Sequence, residues 1–124
     1  MKKNIIPVSE LLKKNPLRDI QGGIESLARV VLRYCPVFPE KSRCWHRFHR
    51  SQAWITDPVG IQQIQLIKSY DTIVGVVVPD DATIYELGKY STTTSKQLTQ
   101  ISRQWPQYRR VKLQRPEEPI LCHW

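Results

Sequence analysis

Two short segments of this chain are dense in cations, interleaved with aromatic residues and free of acids. The first is Lys41 to Arg50, K-S-R-C-W-H-R-F-H-R, with four formal positive charges, two histidines and two aromatics. The second is Arg103 to Arg115, which holds Arg103, Arg109, Arg110, Lys112 and Arg115. This composition suits nucleic acid: Arg and Lys neutralise phosphates, and Trp45 and Phe48 offer rings for stacking on unpaired bases. The plainer alternative for the first segment is an edge strand whose aromatic side packs on the core. Together the two segments carry nine positive charges against a whole-chain net charge of +8. The remainder is close to neutral, so the charge is concentrated rather than spread for solubility. The residues expected to touch a partner or nucleic acid are Lys41, Arg43, Trp45, Arg47, Arg50, Lys96, Arg103, Arg109, Arg110 and Lys112.

A third constellation is the hydroxyl run Ser91 to Ser95 followed by Lys96. At a helix start, backbone N–H groups, hydroxyls and a lysine are the components of an anion site. The competing reading is that Thr94 caps the helix, with Gln97 three residues on completing a capping box. A fourth possibility is metal: Cys35, Cys44, His46 and His49 lie close in sequence, with Cys122 and His123 further on. Zinc takes Cys and His in tetrahedral sets, but C-x8-C-x-H-x2-H matches no zinc-finger spacing and no C-x-x-C pair exists. No metal or cofactor is therefore expected.

The acids argue against catalysis. Asp80/Asp81 and Glu117/Glu118 sit in turn-like or proline-flanked contexts, and Asp57, Asp71 and Glu86 are isolated along the chain. Divalent-metal nucleases need grouped carboxylates. A metal-free nuclease using His46 or His49 with Lys41 is the residual enzymatic reading. There is no nucleophile elbow, P-loop, H-E-x-x-H or dinucleotide fingerprint. The expectation is a non-enzyme.

The elements that must position these residues follow from periodicity. The length of 124 residues, with 40% hydrophobic and 24% charged residues, suits one domain with a modest core. Val8 to Lys14 reads as a short helix stopped by Asn15-Pro16, and Gly22-Gly23 as a break. Ile24 to Tyr34 reads as an amphipathic helix, with Ile24, Leu27, Ala28 and Val31 on one stripe. Residues 36–60 form an irregular basic segment, with Trp45 to Ile55 an edge strand inside it. Three strands follow, Ile61 to Tyr70, Thr72 to Val78 and Thr83 to Leu87, as an antiparallel meander. A helix carrying Leu98, Ile101 and Trp105 ends at Pro106. Tyr108 to Gln114 alternates, with Val111 and Leu113 on one face and Arg110, Lys112 and Gln114 on the other. The tail from 116 is apolar enough to dock. The fold class is thus α+β: N-terminal helices and an antiparallel sheet of three to four strands with one helix packed on it. The expected core is Leu27, Val31, Leu66, Val74, Val76, Tyr85, Leu98, Ile101 and Trp105.

Two stretches inside this frame carry a resemblance: S-Y-D-T-I-V at Ser69 to Val74, and Y-S-T-T-T-S-K at Tyr90 to Lys96. They resemble a small uncharacterised domain common in phage and plasmid proteins, which pairs S-Y-x-T-x-V with Y-S-x-T-T-S-K or T-T-S-R before a helix. The resemblance covers about the middle third of the chain. It implies a small protein of a phage or other mobile element. With the basic segments and the missing catalytic set, it suggests an inhibitor that occupies a host defence nucleoprotein, anti-CRISPR-like in form. The partner would be a host protein or ribonucleoprotein complex such as a CRISPR effector. The alternative is a direct DNA- or RNA-binding regulator, and a third class is an interaction domain whose charge only confers solubility. Three cysteines suit a reducing compartment. The N-terminus lacks the apolar stretch of a signal peptide, and no apolar run approaches the roughly 20 residues that span a bilayer. A cytoplasmic location without a membrane partner is expected. The oligomeric state is left open.

Overall fold

The structure is a computed structural model that describes residues 17–34, 45–49, 53–88 and 92–121. The elements run α1 (Leu17–Leu32), β1 (Trp45–His49), β2 (Ala53–Thr56), β3 (Gln65–Ser69), β4 (Thr72–Val78), β5 (Thr83–Leu87), α2 (Thr92–Ser102) and β6 (Arg109–Leu113), with a short 3-10 turn at Pro79–Asp81. One sheet of six strands, in the order β1-β2-β3-β4-β5-β6, holds them together.

The α+β class stands, but the sheet is larger than three or four strands and is mixed. Trp45 to Ile55 is a hairpin of two strands rather than one edge strand, with Trp45 opposite Thr56 and Arg47 opposite Trp54. The strand expected from Ile61 begins only at Gln65. Residues 61–63 form a turn closed by the Val59–Ile64 bridge. Four neighbouring pairs are antiparallel, while β6 lies parallel to β5. A parallel neighbour needs a crossover, and α2 supplies it.

Strand alternation sends the two core clusters to opposite faces. On one, Ile20, Ile24, Ala28 and Val31 of α1 pack on Trp45, Leu66, Ile73, Val76, Tyr85, Leu87 and Leu113. On the other, Leu98 and Ile101 of α2 pack on Ile55, Ile67, Val74, Val77 and Ile84. A bulge makes this arrangement possible: Ile67 pairs with Gly75 but Lys68 pairs with Ile73, so Val74 is the extra residue. Gly75 fits beneath α2, where a Cβ would come within 3.2 Å of Leu98 Cδ2 and 3.1 Å of Ile67 Cδ1. Seven of the expected core residues are buried, and Leu27 and Trp105 pack at its margin.

Gly22-Gly23 does not break the first helix; α1 runs straight through it. Both glycines are exposed, and the apolar spacing Ile20, Ile24, Ala28, Val31 outweighs a helix-interior cost of about 1 kcal/mol per glycine. Thr94 is likewise not an N-cap, because α2 is under way at Thr92 and Thr94 is buried within it. The candidate helix Val8 to Lys14 lies outside the described residues. Beyond β6, the tail returns to the sheet: Ile73 N–H donates to the Ile120 carbonyl at 2.8 Å, beside a Thr72–Leu121 bridge. Among the described residues, no helix is long and apolar enough to cross a membrane.

Candidate nucleic-acid and partner interface

The strand order separates the two basic segments. One contains β1 and the other β6, the two outer strands of the sheet. Five strand spacings lie between them, on the order of 24 Å along the sheet. They are therefore two surfaces, and each must be judged alone.

At the β1 edge the aromatic component belongs to the core. Trp45 is 4% exposed and packs with α1, so its ring is not a platform for bases, and that expectation is corrected. The pairing of β1 with β2 and β2 with β3 stacks Arg47, Trp54, Lys68 and Trp45 on one face. The Arg47 Cζ stands 5.9 Å from the Trp54 ring centre, and the Lys68 ammonium 5.5 Å from Trp54 and 5.2 Å from Trp45. Lys68 is fully buried, so the rings offer their negative faces to a cation removed from water. Reading Ile61 to Tyr70 as a half-solvated strand missed this lysine. On the other face of β1, exposed His46 Nε2 lies 2.7 Å from Asp57 Oδ1. Lys41, Arg43 and Arg50 lie outside the described residues, as do Cys35, Cys44, Cys122 and His123 and the His49 side chain. No group of three His, Cys, Asp or Glu side chains among the described residues is placed to hold a metal.

The β6 edge gives a different result. Arg110 and Lys112 project to the α2 face, as the alternation of Tyr108 to Gln114 predicts. Arg110 Nε donates to Glu86 Oε2 at 2.5 Å and its Nη1 to Thr99 Oγ1 at 3.2 Å. The Glu86 side chain is 7% exposed and that of Arg110 31%. This guanidinium is thus a positioned, partly buried structural charge, not a freely offered one. Glu86, isolated along the sequence, sits on β5 opposite Lys112 of β6, next to the residue Arg110 that claims it. Arg109 turns to the other face, where its Nη2 reaches Thr83 Oγ1 at 3.4 Å. Close by, Tyr85 donates to Asp81 Oδ2 at 2.6 Å. Burial, reinforced by Asp81, pushes the Tyr85 phenol far above its ordinary value. Arg109 and Arg110, neighbours in sequence, therefore serve opposite faces.

On α2 itself, Lys96 and Arg103 are exposed and flank an open groove with Thr92, Ser95, Thr99 and Gln100. Ser95 and Thr99 also line a second cleft, of about 290 Å³, between α2 and β6, with Glu86, Arg110 and Lys112. The two depressions adjoin along one helix turn. Among the described residues, Lys96, Arg103 and Lys112 have no acidic partner. The α2 position is secured from the opposite flank: Ser69 Oγ donates to buried Gln97 Oε1 at 2.7 Å, and Gln100 Nε2 to the Phe48 carbonyl at 2.9 Å.

A family model described as a family of unknown function (DUF8033) matches residues 44–114, more than half of the chain. The match runs from the start of β1 to just past the end of β6 and so takes in the whole sheet and α2. No curated protein and no solved structure matches.

Proposed function

This chain belongs to a family of unknown function, DUF8033, and from that premise we propose that it is a small non-catalytic binding protein that acts by occupying a nucleoprotein complex. The contact surface is the α2–β6 face. One observation carries the reading: Lys96, Arg103 and Lys112 stand together on that face without an acidic partner among the described residues, while the nearby acid, Glu86, is taken up by Arg110. Such a field attracts a polyanion and speeds its encounter. The resemblance of Ser69–Val74 and Tyr90–Lys96 to phage and plasmid domains supports a mobile-element origin. It also favours a host defence complex in the cytoplasm as the target, in the manner of an anti-CRISPR protein. A direct DNA- or RNA-binding regulator would use the same face.

The test is an affinity pull-down from bacterial lysate with and without nuclease. It compares the native chain with the variant Lys96→Glu, Arg103→Glu, Lys112→Glu, read by mass spectrometry. A nuclease-resistant nucleoprotein that the variant loses is the expected result. Recovery of nucleic acid alone, abolished by nuclease, moves the function to the direct binder. An eluate that is the same for both proteins refutes the assignment of this face.

A further inference from the structure

The open groove on α2 and the cleft between α2 and β6 share Ser95 and Thr99 but differ in construction. The groove is shallow and its cations are exposed, whereas the cleft is recessed and its guanidinium is held in place. Arg110 is anchored from two sides, by Glu86 and Thr99. Lys112 lines the same space without an acidic partner among the described residues. Leu98 and Leu113 border the same space and are both buried, Leu98 on the sheet side of α2 and Leu113 in the core of the opposite sheet face. Thr99 Oγ1 accepts from Arg110, which leaves its own hydrogen to donate.

We propose that this cleft seats a single phosphodiester group of a nucleic-acid backbone. The inference deepens the functional reading above and rests on it, since it names what the α2–β6 face recognises. Two cations and one carboxylate leave the cleft with a single net positive charge. A diester monoanion balances that charge. A phosphate monoester at neutral pH carries close to two negative charges and would bring an uncompensated one beside buried Glu86. The donors available are a guanidinium held in fixed orientation, an ammonium and a hydroxyl, a mixed set that fits oxygens pointing in several directions. Lys96 and Arg103, about one helix turn to either side of Thr99, then lie where the flanking phosphates of the same strand would pass.

Dimethyl phosphate is the direct probe, titrated into the 15N-labelled full chain at constant ionic strength. Methyl phosphate and acetate serve as comparison anions. The expected result is saturable shifts at the Ser95, Thr99 and Lys112 amides and the Arg110 Nε–H. Dimethyl phosphate should bind at least as tightly as methyl phosphate and more tightly than acetate. Lys112→Gln, an exposed change, should weaken it about tenfold, the loss of one charge-assisted hydrogen bond. Tighter binding of methyl phosphate overturns the diester assignment, and equal binding of acetate indicates an acidic protein surface instead. If dimethyl phosphate gives no saturable shift, the cleft inference fails. The pull-down with the triple variant then reports separately on whether the face is used at all. As a second check, single-stranded oligonucleotide binding by Lys112→Gln should show a log–log salt slope lower by about 0.7 than that of the native chain; an unchanged slope overturns the proposal.

Discussion

Replacing Arg110 by Glu should unfold this protein far more readily than the same change at Lys112, although both lie on β6 and face α2. The reason is Glu86. Its carboxylate is 7% exposed and receives the Arg110 Nε–H at 2.5 Å. Removing one partner of a fully buried pair costs about 3–5 kcal/mol, whereas an exposed pair contributes about 0–1. Arg110 retains about a third of its exposure, 31%, so solvent screening places Arg110→Ala between those limits, at about 2 kcal/mol. The reversal adds a like charge: two carboxylates about 4 Å apart repel by about 4 kcal/mol at an effective dielectric near 20. Arg110→Glu should therefore cost about 2–6 kcal/mol, and Lys112→Glu about 0.5 or less. Urea denaturation followed by tryptophan fluorescence measures both. In a thermal scan the difference corresponds to roughly 4 °C for each kcal/mol in a domain of this size. The double variant Glu86→Gln, Arg110→Gln should recover part of the loss, because no buried charge is then left uncompensated. Equal unfolding midpoints for Arg110→Glu and Lys112→Glu would refute the argument, and would return Arg110 to the set of freely available binding cations.

Four further outcomes follow from the packing. Gly88→Ala should destabilise the fold by about 2–4 kcal/mol in thermal unfolding, since Gly88 has φ +86° and a Cβ there would meet the Arg115 backbone N at 2.6 Å. Gly60→Ala, at φ +73° with open space around it, should lose only about 1 kcal/mol. Tyr85 keeps its proton in the folded state to a pH well above the ordinary value of 10.0, so above that value the unfolded chain ionises and the folded one does not. Its contribution is complete below pH 10 and is lost as the pH rises beyond it, by up to about 1.4 kcal/mol per pH unit; stability measured from pH 9 to 11 should show this fall, and Tyr85→Phe should remove its share. Trp45→Ala should cost about 3–5 kcal/mol in denaturant titration, and loss of binding without loss of stability would make Trp45 a contact residue after all.

Periodicity was sufficient for the central elements and silent on how they are ordered. The alternation in Tyr108 to Gln114 put Leu113 on one face and Arg110 and Lys112 on the other, as found. The meander reading set Thr72 to Val78 between its two neighbours, and β4 does pair with both β3 and β5. The same reasoning failed where one element hid another. Trp45 to Ile55 reads as a single strand because the sequence between β1 and β2, R-S-Q at 50–52, contains no glycine, proline or asparagine to announce a reversal of the chain. Gly22-Gly23 reads as a break because propensity is local, whereas the α1 stripe from Ile20 to Val31 is stabilised by a sheet distant in sequence. Lys68 was illegible for a related reason. A lysine in a strand reads as a solvent-facing position, and only the registry of β1, β2 and β3 brings Trp45 and Trp54 over it.

The candidate interface shows why counting cations along a chain overstates a surface. Density in sequence becomes density in space only if strand order, strand parity and local acids permit it, and here each removes part of the signal. Strand order sends the segments around Arg47 and Arg110 to opposite edges. Parity turns Arg109 toward Thr83, away from its neighbour. A single acid, Glu86, takes up Arg110. What remains comes from two different elements, Lys96 and Arg103 from α2 and Lys112 from β6. They are brought together because β6 pairs parallel to β5, and a parallel pair requires the crossover helix to lie over the sheet between them. The proposed binding face is thus a consequence of the parallel β5–β6 junction in the sheet. A variant that unpaired β6 while leaving α2 helical would keep the formal charge of the chain and lose the surface.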